Sequence, residues 1–166
     1  MVRVRIATIT MDSSNSAPVV LLRPVDEDGD FVGDRVLPIW IGHPEAMSIL
    51  LGLQEVPSPR PLTHDLFVGT LRTLGYTLEQ VQVTRLDGGT FYAEIVLFGP
   101  EGRIGIDARP SDSMALAVRE GCPIYVCEAV MDEAAIVPEP ADEDEEEQLE
   151  RFRDFLDHVD PSDFIH

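Results

Sequence analysis

The chain contains no lysine: all twelve of its basic residues are arginine, set against 31 aspartates and glutamates for a formal charge of −19. Proteins that grip duplexes without sequence preference present a basic face, because their binding draws on counterion release. The net charge excludes that mode, although it leaves room for a small local arginine cluster. Cysteine is nearly as scarce. Cys122 and Cys127 lack the spacing of a zinc pair, and within a strand their offset sets them on opposite faces. Free thiols, mostly buried, are expected rather than a disulfide. Long apolar runs are missing too, and nothing approaches the roughly 20 residues needed to cross a bilayer. Met1–Ile6 alternates like a strand and lacks the apolar stretch of a signal peptide. The expectation is a soluble, cytoplasmic protein with no membrane partner.

The acidic excess is uneven. Residues 1–137 hold 19 acids and 10 arginines, whereas residues 138–166 hold 12 acids and 2 arginines. Pro138-Glu139-Pro140 marks the change, and Asp142 to Glu147 is an unbroken acidic run that repels itself. Beyond it, Leu149, Phe152, Phe155, Leu156 and Val159 recur at helical spacing, which predicts a short amphipathic helix. Two units are therefore expected, a domain over residues 1–136 and an acidic helical tail over 137–166. Acid enrichment without lysine also fits adaptation to strong salt, while a GC-rich coding bias alone would remove lysine.

Within the first unit, residues 2–11 and 18–24 read as strands. Residues 36–41 form an almost wholly apolar third strand, and Pro38 points to an edge or a bulge. Gly42-His43-Pro44-Glu45 opens a first helix. A second runs from about Thr63 to Leu74, with Leu66, Phe67, Thr70, Leu71 and Leu74 as its apolar stripe. Residues 76–86 and 90–98 flank Asp87-Gly88-Gly89, a strong hairpin signal. A strand over 103–107, a third helix from Ser111 to Gly121 and a last strand over 123–127 complete the order. The fold class is α+β, a mixed or antiparallel sheet of about six to seven strands with three main helices and an acidic C-terminal helical tail.

Two Arg-Pro elements stand out, Arg60-Pro61-Leu62-Thr63-His64-Asp65 and Asp107-Ala108-Arg109-Pro110-Ser111-Asp112. Each sets an arginine and a carboxylate at a helix start. Thr63 or Ser111 can cap the first N–H groups, and Asp65 or Asp112 suits the positive end of the helix dipole. A helix start beside a guanidinium is an anion site. The structural alternative is a well-made helix start whose arginine is tied to carbonyls or carboxylates.

These elements belong to a longer series. Leu37-Pro38-Ile39-Trp40-Ile41-Gly42 with Glu45-Ala46, the two Arg-Pro elements, Gly89-Thr90-Phe91-Tyr92-Ala93 and Pro123-Ile124-Tyr125-Val126 occur in this order. Together, over about residues 2–136, they resemble the bifunctional nuclease domain family. The resemblance implies a compact α+β domain, usually oligomeric, with nuclease activity on RNA and DNA in some members. It transfers no settled mechanism. Plant-like members carry a short helical interaction segment after this domain. An acidic tail stands there in this chain, so partners do not carry over.

Phosphodiester cleavage needs an activated nucleophile, charge stabilisation and leaving-group assistance. Asp65, Asp107 and Asp112, with Glu45, are candidate ligands for Mg²⁺ or Mn²⁺. Arg60 and Arg109 are candidate phosphate clamps. His64 is the candidate acid or base, since imidazole exchanges protons near neutral pH. For RNA, a metal-free route through a histidine and an arginine is open. Each residue has a structural alternative: Glu45, Asp65 and Asp112 as helix-start carboxylates, His43 and His64 as exposed imidazoles, and Asp107 as a bridge to Arg60 or Arg109. The expected activity is a nuclease acting on RNA or DNA, working as a homodimer or higher homo-oligomer. The competing expectation is a non-catalytic oligomeric module that uses the acidic tail. An enzyme would gather Arg60, Asp65, Asp107, Arg109 and Asp112 in one open cleft, whereas a scaffold would bury them as bridges.

Overall fold

The computed structural model describes residues 1–138, so the expected tail helix lies outside the described residues. The chain runs β1 (Val2–Met11), β2 (Pro18–Pro24), β3 (Leu37–Trp40), α1 (His43–Leu53), α2 (Thr63–Thr73), β4 (Thr77–Asp87), β5 (Thr90–Gly99), β6 (Gly102–Ala108), α3 (Pro110–Glu120), β7 (Ile124–Val126) and α4 (Glu128–Ala134). The strands form one sheet in the order β3-β2-β1-β7-β4-β5-β6. This is the expected α+β class.

Two antiparallel blocks, β1–β3 and β4–β6, are joined through β7, the shortest strand. β7 pairs antiparallel with β1, Val4 opposite Ile124, and parallel with β4, Val81 opposite Ile124. That parallel pairing makes the sheet mixed. Val126 is fully buried and Ile124 nearly so, which suits a strand covered on both sides. Pro38 sits in β3, an edge strand, where a missing N–H does least harm. The β4–β5 hairpin closes through Gly88 and Gly89 at φ of 56° and 78°. Positive φ at both central positions is the type I′ geometry that matches strand twist, and glycine adopts it without strain.

α3 is the central helix. Met114, Ala115 and Ala117 are buried, and it touches α1, α2, β4 and β5. Its crossing with α1 is close because Gly52 has no side chain. A Cβ there would lie 2.6 Å from Cγ2 of Val118 and 3.0 Å from Nη1 of Arg119.

Four sequence expectations change here. The helices are capped at Leu62 and Arg109 without side-chain cap bonds, so Thr63 and Ser111 lie inside their helices. α2 is rotated relative to its expected stripe: Val68 is its buried residue, and Leu66, Phe67 and Leu74 are exposed. Polar anchors at His64 and Asp65 turn the helix, as described below. A fourth helix, α4, buries Val130 and Met131. Cys127 caps α4, which shortens the last strand to Ile124–Val126. Both cysteines are free, as expected, and pack partly buried against the core, and burial, with the charge of Glu120, pushes the Cys122 thiol up to about 12.

The Gly52 contact generates a test. Val118 is β-branched and cannot swing away, so Gly52→Ala is expected to destabilise the domain by about 1–3 kcal/mol. A denaturant midpoint unchanged from the parent chain would show that α1 and α3 can separate without cost.

Candidate active site

Three helix N-termini open onto one cavity of about 410 Å³. α1 contributes Pro44, Glu45 and Ser48, α2 contributes Leu62 and His64, and α3 contributes Arg109 and Asp112. Pro44 and Pro110 occupy first-turn positions, where the fixed φ of proline favours helix entry and no N–H is lost to the ladder. Each helix also carries one acid in its first turn: Glu45, Asp65 and Asp112. All three sit at the positive ends of helix dipoles.

Arg109 organises the mouth of the cavity. Its Nε and Nη2 donate to the two carboxylate oxygens of Asp112 at 2.7 and 3.1 Å, and Nη1 donates to Glu45 at 3.0 Å. The side chain remains 65% exposed. Nη1 and Nη2 each keep a further N–H for an incoming acceptor. Burial pushes the Asp112 carboxyl up, but the Arg109 hydrogen bonds and charge, with a smaller contribution from His64, hold it below the ordinary range. Asp112 in turn raises the Arg109 guanidinium above its usual value, and Glu45 adds to the effect.

His64 is held at both ring nitrogens. Nδ1 lies 2.8 Å from Oγ of Ser48, and Nε2 lies 3.4 Å from Oδ1 of Asp112. The Ser48 hydroxyl serves either tautomer, donating to Nδ1 or accepting from it. The longer contact to Asp112 is the looser of the two, and it faces the cavity that both residues line.

Behind this cluster lies a second arginine that the sequence reading passed over. Arg119 is 9% exposed. Its Nε donates to Oδ1 of Asp65 at 2.6 Å, and its Nη1 donates to the carbonyls of Ser48 and Ala115 at 3.0 and 2.8 Å. The other Asp65 oxygen accepts the Leu62 N–H at 2.9 Å. One guanidinium therefore ties the start of α2 and the middle of α1 to the end of α3. Burial raises the Asp65 carboxyl, yet the bonds from Arg119 and Leu62 outweigh it and leave it lowered. Ser48 links the two groups, its carbonyl on Arg119 and its hydroxyl on His64.

Of the residues expected from sequence, His64, Arg109, Asp112 and Glu45 come together. Asp65 adjoins them but is committed to Arg119. Asp107 is exposed on the edge strand β6, opposite Glu94, and does not line the cavity. Arg60 is exposed in the α1–α2 connector, also outside the lining. The expected gathering of five residues is thus replaced by a different four. Among the described residues, no set of three or more His, Cys, Asp and Glu side chains is arranged to hold a metal ion. The two carboxylates that do adjoin, Glu45 and Asp112, share Arg109, whose guanidinium fills the place a cation would take. The expected set of Asp65, Asp107, Asp112 and Glu45 does not fit Mg²⁺ or Mn²⁺ as arranged. Ser48 and Arg119 are the residues sequence reasoning missed. Arg119 follows Asp112 by seven positions on α3, one shared helix face, and that spacing was the available signal.

The lowered Asp65 carboxyl makes a stability prediction. Its contribution is fully present above the ordinary value of 3.8 and is lost as pH falls through the lower folded value. Asp65→Asn removes the charge and leaves one acceptor oxygen where the carboxylate uses two. It should cost about 1–2 kcal/mol near pH 7, less than a fully buried pair because Asp65 is 37% exposed. The gap to the parent chain should narrow between about pH 7 and pH 2, as Asp65 takes up its proton. Urea midpoints that differ equally at both pH values would show that the charge of Asp65 contributes nothing.

The site's surroundings match known proteins. The model for the bifunctional nuclease domain covers residues 20–139. An uncharacterized protein of Mycobacterium tuberculosis (strain ATCC 25618 / H37Rv) is 44% identical over 170 residues, covering 99% of this chain and 98% of its own. Bifunctional nuclease 1 of Oryza sativa subsp. japonica is 28% identical over 103 residues, which is 60% of this chain and 30% of the rice protein. The Oryza minuta protein called bifunctional nuclease shows the same figures. The family match takes in Glu45, His64, Arg109, Asp112 and Arg119 alike, and the chain belongs to the bifunctional nuclease domain family.

Proposed function

We propose that this protein is a nuclease, a hydrolase of phosphodiester bonds in RNA or DNA, whose reacting centre is His64, Asp112, Arg109 and Glu45. The observation that carries the reading is a histidine set between a hydroxyl and an ionised carboxylate, beside an exposed guanidinium, in an open cleft. Family membership and the names of the rice relatives support the same class of reaction.

With its Nδ1–H donated to Ser48, His64 accepts at Nε2 the proton of the attacking hydroxyl, the 2′-OH of RNA or a water on DNA. Asp112 stabilises the imidazolium that results. The new O–P bond forms as the bond to the leaving oxygen breaks, and the proton passes from His64 to that oxygen. Arg109 directs its remaining N–H groups at the phosphoryl oxygens, where charge accumulates. Glu45 and Asp112 fix the guanidinium plane in advance. Ser48 orients the imidazole, and Arg119 places Ser48. Arg60 remains a proposed secondary phosphate contact on the exposed connector.

His64→Ala and Arg109→Ala are each expected to lower cleavage of single-stranded RNA and DNA by roughly 10²–10⁴-fold while keeping the thermal transition. Full cleavage by both folded variants would place the chemistry elsewhere. Assays with EDTA and with added Mg²⁺ or Mn²⁺ decide the metal question. Activity that survives EDTA supports the histidine route. Activity that requires the ion would restore the metal expectation, with Glu45 and Asp112 as its first ligands. Because the chain carries −19, cleavage should fall less steeply with added salt than in basic nucleases, or rise.

The module reading is favoured by one feature, the outward apolar stripe of Leu62, Leu66, Phe67 and Leu74 along α2. Such a stripe suits a contact between copies. We therefore also propose a homo-oligomer, most simply a two-fold dimer. Light scattering should return at least twice the chain mass at micromolar concentration in low and high salt, and Leu66→Glu should halve it. A monomer in both salts would reject the assembly. If no nucleic acid is cleaved under any divalent ion, the module reading takes the place of the enzyme.

A further inference from the structure

A second depression of about 430 Å³ adjoins the reacting centre, with Glu45 and Arg109 as the wall common to both. Its other principal walls are Trp40 at the end of β3 and Gly89, Thr90 and Phe91 at the tip of the β4–β5 hairpin. Trp40 is the only tryptophan in the chain and is 53% exposed. An exposed indole at a strand end is ordinarily mobile. This one is pinned, since its Nε1–H donates to Oδ2 of Asp12 at 2.8 Å. Asp12 is itself fixed, its other oxygen accepting the backbone N–H and the hydroxyl of Ser14 at 2.9 and 2.6 Å. The ring is held with its polar edge satisfied, so its face can take up a flat apolar partner.

We propose that this depression is a base-binding subsite, in which a nucleobase next to the scissile phosphate stacks on Trp40. The inference rests on the nuclease reading of the neighbouring cleft. Three observations single out a nucleobase. The platform is aromatic and immobilised. The wall shared with the reacting centre offers a guanidinium and a carboxylate, donors and acceptors suited to a base edge. That same guanidinium faces the reacting centre, so a chain crossing the shared wall places its phosphate at Arg109 and its base at Trp40. Stacking accepts every base, so the subsite fits a nuclease acting on RNA or DNA. Arg109 thus serves both cavities, binding phosphate on one side and bounding the base on the other.

The single tryptophan makes the test direct. The full chain is titrated with AMP, with a dinucleoside monophosphate and with ribose 5-phosphate while indole emission is followed. Saturable quenching by the two base-bearing ligands, and none by ribose 5-phosphate, is the expected result. With a labelled short oligonucleotide, Trp40→Ala should weaken binding about tenfold. It should raise KM with little change in kcat. Trp40→Phe, which keeps an aromatic face, should recover most of the affinity. Equal responses to all three ligands, or none, would overturn the subsite, as would emission that tracks protein concentration instead of ligand, the signature of a contact between copies. Should Trp40→Ala fail to fold, the quenching series and Trp40→Phe decide alone. The two proposals separate cleanly. Cleavage without base-dependent quenching removes the subsite and keeps the nuclease. Quenching without cleavage keeps a nucleobase site and removes the enzyme.

Discussion

A buried guanidinium cannot be left without partners, and the placement of Arg119 follows from that constraint. Taking a cation out of water costs several kcal/mol unless its donors are met. Asp65 and the carbonyls of Ser48 and Ala115 meet three of its five. Each partner belongs to a different helix or helix turn, so satisfying one side chain fixes three elements at once. α2 must turn His64, Asp65 and Val68 inward to do so, which leaves Leu66 and Phe67 outside. A polar requirement here overrides apolar periodicity, because an unmatched buried charge costs more than two exposed hydrophobes. The same bond to Ser48 sets the hydroxyl that holds His64.

The charge arrangement has a simple plan. Both structural cations of the centre sit at opposite ends of α3, Arg109 at its N-cap and Arg119 in its last turn. Each collects a first-turn carboxylate from a neighbouring helix, Arg109 from α1 and Arg119 from α2. The two differ in exposure, and their roles differ accordingly. Arg119, almost buried, is spent on the framework. Arg109, mostly exposed, is bound firmly enough to be oriented and loosely enough to take another acceptor. Three helix N-termini add positive potential to the same cleft. A strongly acidic protein can thus hold a local anion site without a basic face.

Much of the fold could be read in the residues. The Asp87-Gly88-Gly89 hairpin, the edge strand marked by Pro38, and the start of α3 at the Arg-Pro pair follow from backbone chemistry that acts within a few residues. What could not be read depends on distant partners. The facing of α2 is decided by Arg119, 54 positions beyond Asp65. α4 is short, acidic and capped by a cysteine, so no local signal announces it. Asp107 shares a motif with Arg109 and Asp112, but it precedes the strand-to-helix turn. The turn carries the later residues to the cleft and leaves Asp107 on β6. Sequence proximity grouped the three, and the backbone divides them. The helix-start logic located Glu45, His64, Arg109 and Asp112, because each is tied to a helix end whose position was legible.

The two cavities meet at Glu45 and Arg109, and this junction bears on how the centre acts. A guanidinium fixed by two carboxylates cannot rotate to follow a ligand, so on the proposed reading a nucleic acid chain must conform to it. If the same plane bounds both the phosphate position and the stacked base, the scissile bond is placed by the residues that charge-stabilise it. Orientation and electrostatic stabilisation then come from one group, and neither depends on closure of a lid. Loosening Glu45 would therefore disturb base placement and phosphate placement together, although it touches none of the reacting atoms. That coupling sets Glu45 apart as a positioning residue and places the centre's rigidity in the helix starts.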